Sequence, residues 1–94
     1  MKLLLEAIAR DDLRAISDQG EQLFGKLQSI RYSQELLNVI SKLAVNPLIY
    51  RERNEFTPPI RVCPHKAHVI LYRIQDDTVI ILRVRHGRED WQQA

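Results

Sequence analysis

The chain has one cysteine, Cys63, so it cannot staple itself with an internal disulfide or build a zinc site from thiolates. That scarcity fits a reducing compartment, and a cytoplasmic protein is the expectation. Long hydrophobic runs are missing too. The opening MKLLLEAIARDDL carries an apolar stretch too short for a signal-peptide core, and acids follow at once, so neither secretion nor a membrane span is expected. No acid or cysteine constellation accompanies the three histidines, so no metal and no cofactor are expected. Nor is there the low-hydrophobicity, high-charge signature of disorder, because 45% of residues are hydrophobic and 28% charged. Ninety-four residues then make one domain, spanning 1–94, around a single modest core.

The net charge of +2 is small, but its distribution is uneven. Residues 1–46 hold six basic and six acidic side chains, whereas 60–88 hold six basic residues against only Asp76 and Asp77. His65, His68 and His86 all lie in that second window. A basic, histidine-bearing second half suggests an anionic partner, either nucleic acid or an acidic protein segment.

Apolar residues recur at helical spacing from Ile8 to Ala44: Ala9, Leu13, Ile16 and Leu23, then Leu27, Ile30, Leu37, Ile40 and Ala44, widened by Leu36, Val39 and Leu43. Two amphipathic helices are predicted, broken at Gly25 and stopped by Asn46-Pro47, forming a helical hairpin. Gly20 is expected to kink or end the first helix, since a mid-helix glycine costs about 1 kcal/mol relative to alanine. Lys2 to Leu5 makes a short strand, and Leu48 to Pro59 an irregular connector. Three antiparallel strands then follow at Ile60–Cys63, Ala67–Ile74 and Thr78–Val84.

A two-residue turn at Asp76-Asp77 pairs Ile74 with Val79, Tyr72 with Ile81 and Leu71 with Leu82, leaving both faces of the hairpin largely apolar. Helices can cover only one of them. Either a partner or the C-terminal segment with Trp91 must cover the second.

Close to its C-terminus the chain reads RVRHGREDW, Arg83 to Trp91, and with that stretch it resembles the ParE group of the RelE/ParE toxin superfamily. The likeness runs from Ala9-x-x-Asp12-Leu13-x-x-Ile16 through Gly25, Tyr32, Leu36, Leu43-Ala44, Asn46-Pro47 and Arg61 to the blocks HVILYRI (His68 to Ile74) and VIILRVRHGREDW (Val79 to Trp91). Two positions depart from the pattern: Gly20, where good helix formers are usual, and Ser29, more often alanine. The resemblance implies an α+β fold: a short N-terminal strand and a helical hairpin packed on a three- to four-stranded antiparallel sheet. It also implies the toxin of a type II toxin-antitoxin system, inhibiting DNA gyrase by binding and neutralised by a ParD-like antitoxin. Operator DNA would be met only through that antitoxin, and no membrane is involved.

RelE-like members of the superfamily are instead ribosome-dependent mRNA endoribonucleases, and a non-toxic remnant that only binds antitoxin is a third possibility. Metal-free phosphodiester cleavage needs a base, an acid and cations for the developing phosphate charge. His86, Arg83, Arg61 and Lys66 are the candidates, but the tyrosine pattern expected of such enzymes is absent. In the binding reading no residue is catalytic. Arg85, His86, Arg88, Asp90 and Trp91 then face the target, with Arg88 and Trp91 as anchors. Arg61, Arg73, Arg83 and Tyr72 meet the antitoxin. Arg83 is otherwise expected to bridge to the tail, Arg73 to be a solvated sheet residue, and Cys63 and Tyr72 to pack.

Overall fold

A computed structural model of the chain describes residues 1–93. Its elements are β1 (Lys2–Leu5), α1 (Ala7–Phe24), α2 (Lys26–Val45), β2 (Glu52–Arg53), β3 (Ile60–His65), β4 (His68–Gln75) and β5 (Thr78–His86), closed by one 3₁₀ turn at Trp91–Gln93. The sheet has five strands in the order β1-β5-β4-β3-β2, more than the expected three to four. It is mixed, because β1 runs parallel to β5 with Leu3 opposite Val79 and Leu5 opposite Ile81. The fifth strand is the two-residue β2, which pairs with β3 inside the proline-bearing connector and was too short to show in any periodicity.

A single residue joins the helices. Gly25 sits at φ 88°, ψ 164°, its N–H bonding the Glu21 carbonyl while its own carbonyl accepts from the Ser29 N–H. Only glycine takes that positive φ without steric cost. Gly20, expected to break α1, does not: the helix continues through it to Phe24. The reason lies across the hairpin. A Cβ at Gly20 would stand 3.2 Å from Ser29 Oγ, and that hydroxyl donates 2.6 Å to the Ser17 carbonyl. The two departures from the family pattern are therefore one contact, a close helix crossing that needs no side chain at residue 20 and a hydroxyl at 29.

The β4–β5 turn is as expected, with Asp76 at φ 50° and Asp77 at φ 46°, the pair of positive angles that matches sheet twist in a two-residue hairpin. Ile74 faces Val79 and Tyr72 faces Ile81, but Leu71 faces Arg83 rather than Leu82. Leu82 is the extra residue of a β-bulge, which resets the alternation of everything after it. Without it Arg83 and Arg85 would follow Val79 and Ile81 into the core. With it, buried Val84 lies opposite Ile70, and His86 lies opposite His68.

Two apolar layers share the sheet. On the helix side Leu36, Ile40 and Leu43 of α2 and Ala9 of α1 pack on Ile70, Tyr72, Val79, Ile81 and Val84, with Cys63 buried among them. On the other side Ile60, Val62, Val69 and Leu71 lie under Trp91, with Phe56 and Leu82 at the margin. Phe56 and Trp91 stack at 6.4 Å and 11°, and the Arg53 guanidinium lies 5.8 Å from the indole centroid. The chain's own tail therefore covers the second apolar face. Part of the helical stripe fares differently: Leu23, Leu27, Ile30 and Leu37 are exposed, not packed on the sheet.

Candidate functional site

The basic end of the molecule is organised where β1 stops. After Leu5 the chain leaves the sheet, so the far end of β5 has a free edge on that side. Asp12 of α1 fills the gap. Its carboxylate accepts from Val84 N at 2.9 Å and, in a fork, from Arg83 Nε and Nη2 at 2.8 and 3.0 Å. Arg83 thus pairs with the first helix, not with the tail, because the bulge delivers it to that edge. This bond to Asp12 holds the guanidinium pKa above its ordinary value.

Arg85 makes the bridge to the tail. Its guanidinium bonds Glu89 Oε2, and Glu89 Oε1 accepts from His86 N at 2.9 Å. The arginine bond first, and that backbone bond second, hold the Glu89 carboxyl below the usual carboxylate range. Arg88 N donates to His86 Nδ1 at 3.1 Å, and Gly87 N to the Ala67 carbonyl at 2.7 Å. The stretch 86–91 is therefore a closed turn that aims Trp91 onto the sheet. Of the five residues expected to face a target, Arg88 and Asp90 are exposed, Arg85 and His86 are half-buried, and Trp91 is only 7% exposed. The indole is committed to its own sheet and is not offered while the tail is docked.

His65 and His68 both lie against Tyr32 and His86 against His68, and of the three histidines His68 and His86 line the groove between the hairpin tip and the β3–β4 turn. Tyr32 Oη lies 2.6 Å from His68 Nδ1, and the His68 and His86 rings stand edge to face with centroids 5.4 Å apart. Burial, with the neighbouring His86 second, pushes the His68 pKa below its ordinary value. Burial, then Glu35, pushes the Tyr32 phenol up. Lys66, at φ 53° in the turn, places its ammonium 2.6 Å from Glu35 Oε1, a hydrogen bond that holds that carboxyl low. His65 Nε2 comes within 3.3 Å of the same oxygen but is misaligned for a hydrogen bond. Among the described residues no group of three or more His, Cys, Asp or Glu could hold a metal ion.

The remaining candidates lie elsewhere. Arg61 Nη1 donates 2.6 Å to the Tyr50 carbonyl, pinning the connector. Arg73 is half-buried rather than solvated, and its Nε has no partner among the described residues. Tyr72, expected to touch an antitoxin, is wholly buried, with its hydroxyl donating 2.7 Å to the Pro47 carbonyl and its pKa pushed up to about 12 by burial. Sequence reasoning missed Asp12, Tyr32 and Glu35 as members of these networks. The first two lie within the motif blocks, which signalled family but not contact.

The family model for the ParE toxin of the type II toxin-antitoxin system parDE matches residues 3–91. The chain belongs to the ParE toxin family. A solved structure described as the chromosomal ParDE TA system from P. aeruginosa has the same fold, with a TM-score of 0.79 at 22% identity over 92% of this chain and 95% of that one. No curated protein matches the sequence. This chain is thus a ParE-type toxin of a type II toxin-antitoxin system, and no helix among its described residues is long and apolar enough to cross a membrane.

Proposed function

We propose that this toxin acts by binding, with DNA gyrase as its target, and that a ParD-like antitoxin silences it. One observation carries the first part. Each of the four residues that an RNA-cleaving reading requires is already engaged within the chain: His86 Nδ1 by Arg88 N, Arg83 by Asp12, Arg61 by the Tyr50 carbonyl and Lys66 by Glu35. The three cations of that set are paired or bonded within the fold, whereas phosphoryl chemistry would need them free for the developing charge. The exposed Arg88 and Asp90 then present the target surface, with Arg85, His86 and Trp91 fixing the turn that carries them.

Purified toxin should inhibit gyrase supercoiling and leave ribosome-bound mRNA intact. Arg88→Ala should weaken inhibition while leaving the melting temperature unchanged. Cleavage of mRNA without any effect on gyrase would overturn the reading, as would a loss of mRNA cleavage of a hundredfold or more on His86→Ala, the scale of acid-base catalysis. Normal growth on induction without antitoxin would mark the chain as a non-toxic remnant.

The antitoxin surface is supported by α2. At about 100° per residue, Leu27, Ile30, Leu37 and Val45 form a second apolar stripe beside the buried Leu36, Ile40 and Leu43. Lys26, Arg31 and Lys42 flank it, and Glu35 is the only acid in the helix. An acidic amphipathic segment matches that pattern. Arg73, with its unpartnered Nε, is the arginine we assign to the partner's acids; Arg61 and Arg83 are already bonded within the fold. Leu27→Asp and Leu37→Asp should each weaken antitoxin binding at least tenfold without unfolding the toxin, since both side chains are exposed. Unchanged affinity would remove α2 from the interface.

A further inference from the structure

The groove at the hairpin tip has a volume of about 420 Å³, within the size range of small-molecule sites. Ile16, Leu23 and Phe24 line one side of it and Tyr32, His68 and His86 the other. Apart from His86, which helps fix the turn that carries Arg88, its lining belongs to neither proposed partner surface. Its polar end holds two imidazoles, and a backbone hydrogen bond decides the tautomer of one of them. A backbone N–H can only donate, so Arg88 N forces His86 Nδ1 to accept, and the proton of the neutral ring sits on Nε2. Tyr32 Oη and His68 Nδ1 share a 2.6 Å hydrogen bond whose direction the tautomer decides; with the phenol donating, that ring's proton sits on Nε2 as well.

With the phenol donating, two neighbouring rings, 5.4 Å apart, each hold one N–H donor in reserve at the wall of an apolar groove. Such a pair suits a ligand with two acceptor oxygens. It does not suit a metal ion, which needs imidazole lone pairs where these rings carry protons. Lys66 also lines the groove, but Glu35 neutralises it, so selectivity would come from directed N–H donors rather than net charge.

We propose that this groove is a binding site for a small apolar carboxylate, whose hydrocarbon body lies along Ile16, Leu23 and Phe24 and whose carboxylate accepts from Nε2–H of His68 and His86. The site depends on neither the gyrase nor the antitoxin reading, and its occupancy is read without either assay. The probe pair is 3-phenylpropanoate and its alcohol, 3-phenylpropanol, which share a body and differ in the head group.

Side-chain ¹⁵N–¹H correlation spectra of the intact chain at neutral pH should show both rings as Nε2–H tautomers. Titration should shift those resonances with the acid, which should bind at least tenfold more tightly than the alcohol. Phe24→Ser, at a residue 70% exposed and therefore safe for folding, should weaken the acid at least tenfold while leaving the tautomers unchanged. His68→Phe should abolish the preference for the acid, with circular dichroism checking the fold. An Nδ1–H tautomer on either ring, equal affinities for acid and alcohol, undiminished binding to Phe24→Ser, or no binding of the acid in the millimolar range would each overturn the proposal.

Discussion

Asp12→Ala is the substitution through which the organisation of the basic end can be weighed. Asp12 and Arg83 side chains are 14% and 27% exposed, so the pair lies between a surface ion pair and a buried one. Removing the carboxylate deletes a charge-assisted fork, worth about 1.5–3 kcal/mol, and strands the Val84 N–H at a sheet edge, costing about 1 kcal/mol more. A total of about 2–4 kcal/mol is expected. In a domain of this size about 1 kcal/mol moves Tm by roughly 4–8 °C, so a drop of about 8–30 °C should be seen by calorimetry. Arg83→Met keeps the aliphatic stem and leaves Asp12 bonded to Val84 N, so it should cost less. Asp12→Asn should fall between the two. Urea melts of the single and double variants give the coupling energy, expected at about 1–2 kcal/mol. A cost for Asp12→Ala below about 0.5 kcal/mol, the range of ordinary surface changes, would refute the view that Asp12 closes the free edge of β5.

Tyr72 predicts an alkaline limb. Its folded pKa of about 12 stands above the unfolded value near 10, so the stability it contributes is complete below pH 10 and is lost as pH rises towards 12. That loss reaches about 2–3 kcal/mol; Tyr72→Phe should lose the limb, while costing about 1–2 kcal/mol at neutral pH through the orphaned Pro47 carbonyl. On the acid side the groups have lowered values, so stability falls as the unfolded chain takes up protons first. His68 starts this below about pH 6.5, Glu35 and Glu89 only below about pH 4.3. His68→Phe should flatten the first step in chemical denaturation across pH and keep the second. Gly20→Ala should gain less than the roughly 1 kcal/mol that helix propensity offers, and should do better in a Ser29→Ala background, where the Oγ contact is gone; identical effects in the two backgrounds would refute the close crossing.

The parts legible from sequence were those with a local physical signature. Gly25 and Asn46-Pro47 marked helix ends, the two aspartates marked the hairpin, and two apolar faces on β4–β5 correctly implied a second cover. Trp91 could be named for that role, but only the tertiary structure decided between tail and partner. The bulge at Leu82 left no trace, because one extra residue in an apolar strand alters no composition or period. It nonetheless determines which of Arg83, Val84, Arg85 and His86 point where. The exposed stripe on α2 was misread for a related reason: that helix has a wide apolar arc, and periodicity alone does not say which part of it the sheet takes. Asp12, Tyr32 and Glu35 were hidden because their partners lie 71, 36 and 31 positions away.

The one-residue link at Gly25 bears on how the chain could fail to remain a monomer. If residue 25 took ordinary helical angles, α1 and α2 would fuse into a single rod of 39 residues, ~58 Å long. That rod would carry β1 away from its own β5 and towards the same edge of a second molecule. Gly25→Ala, which disfavours the positive φ and favours the helix, would thus convert a loop mutation into a change of assembly, an exchanged dimer whose every contact already exists within the monomer.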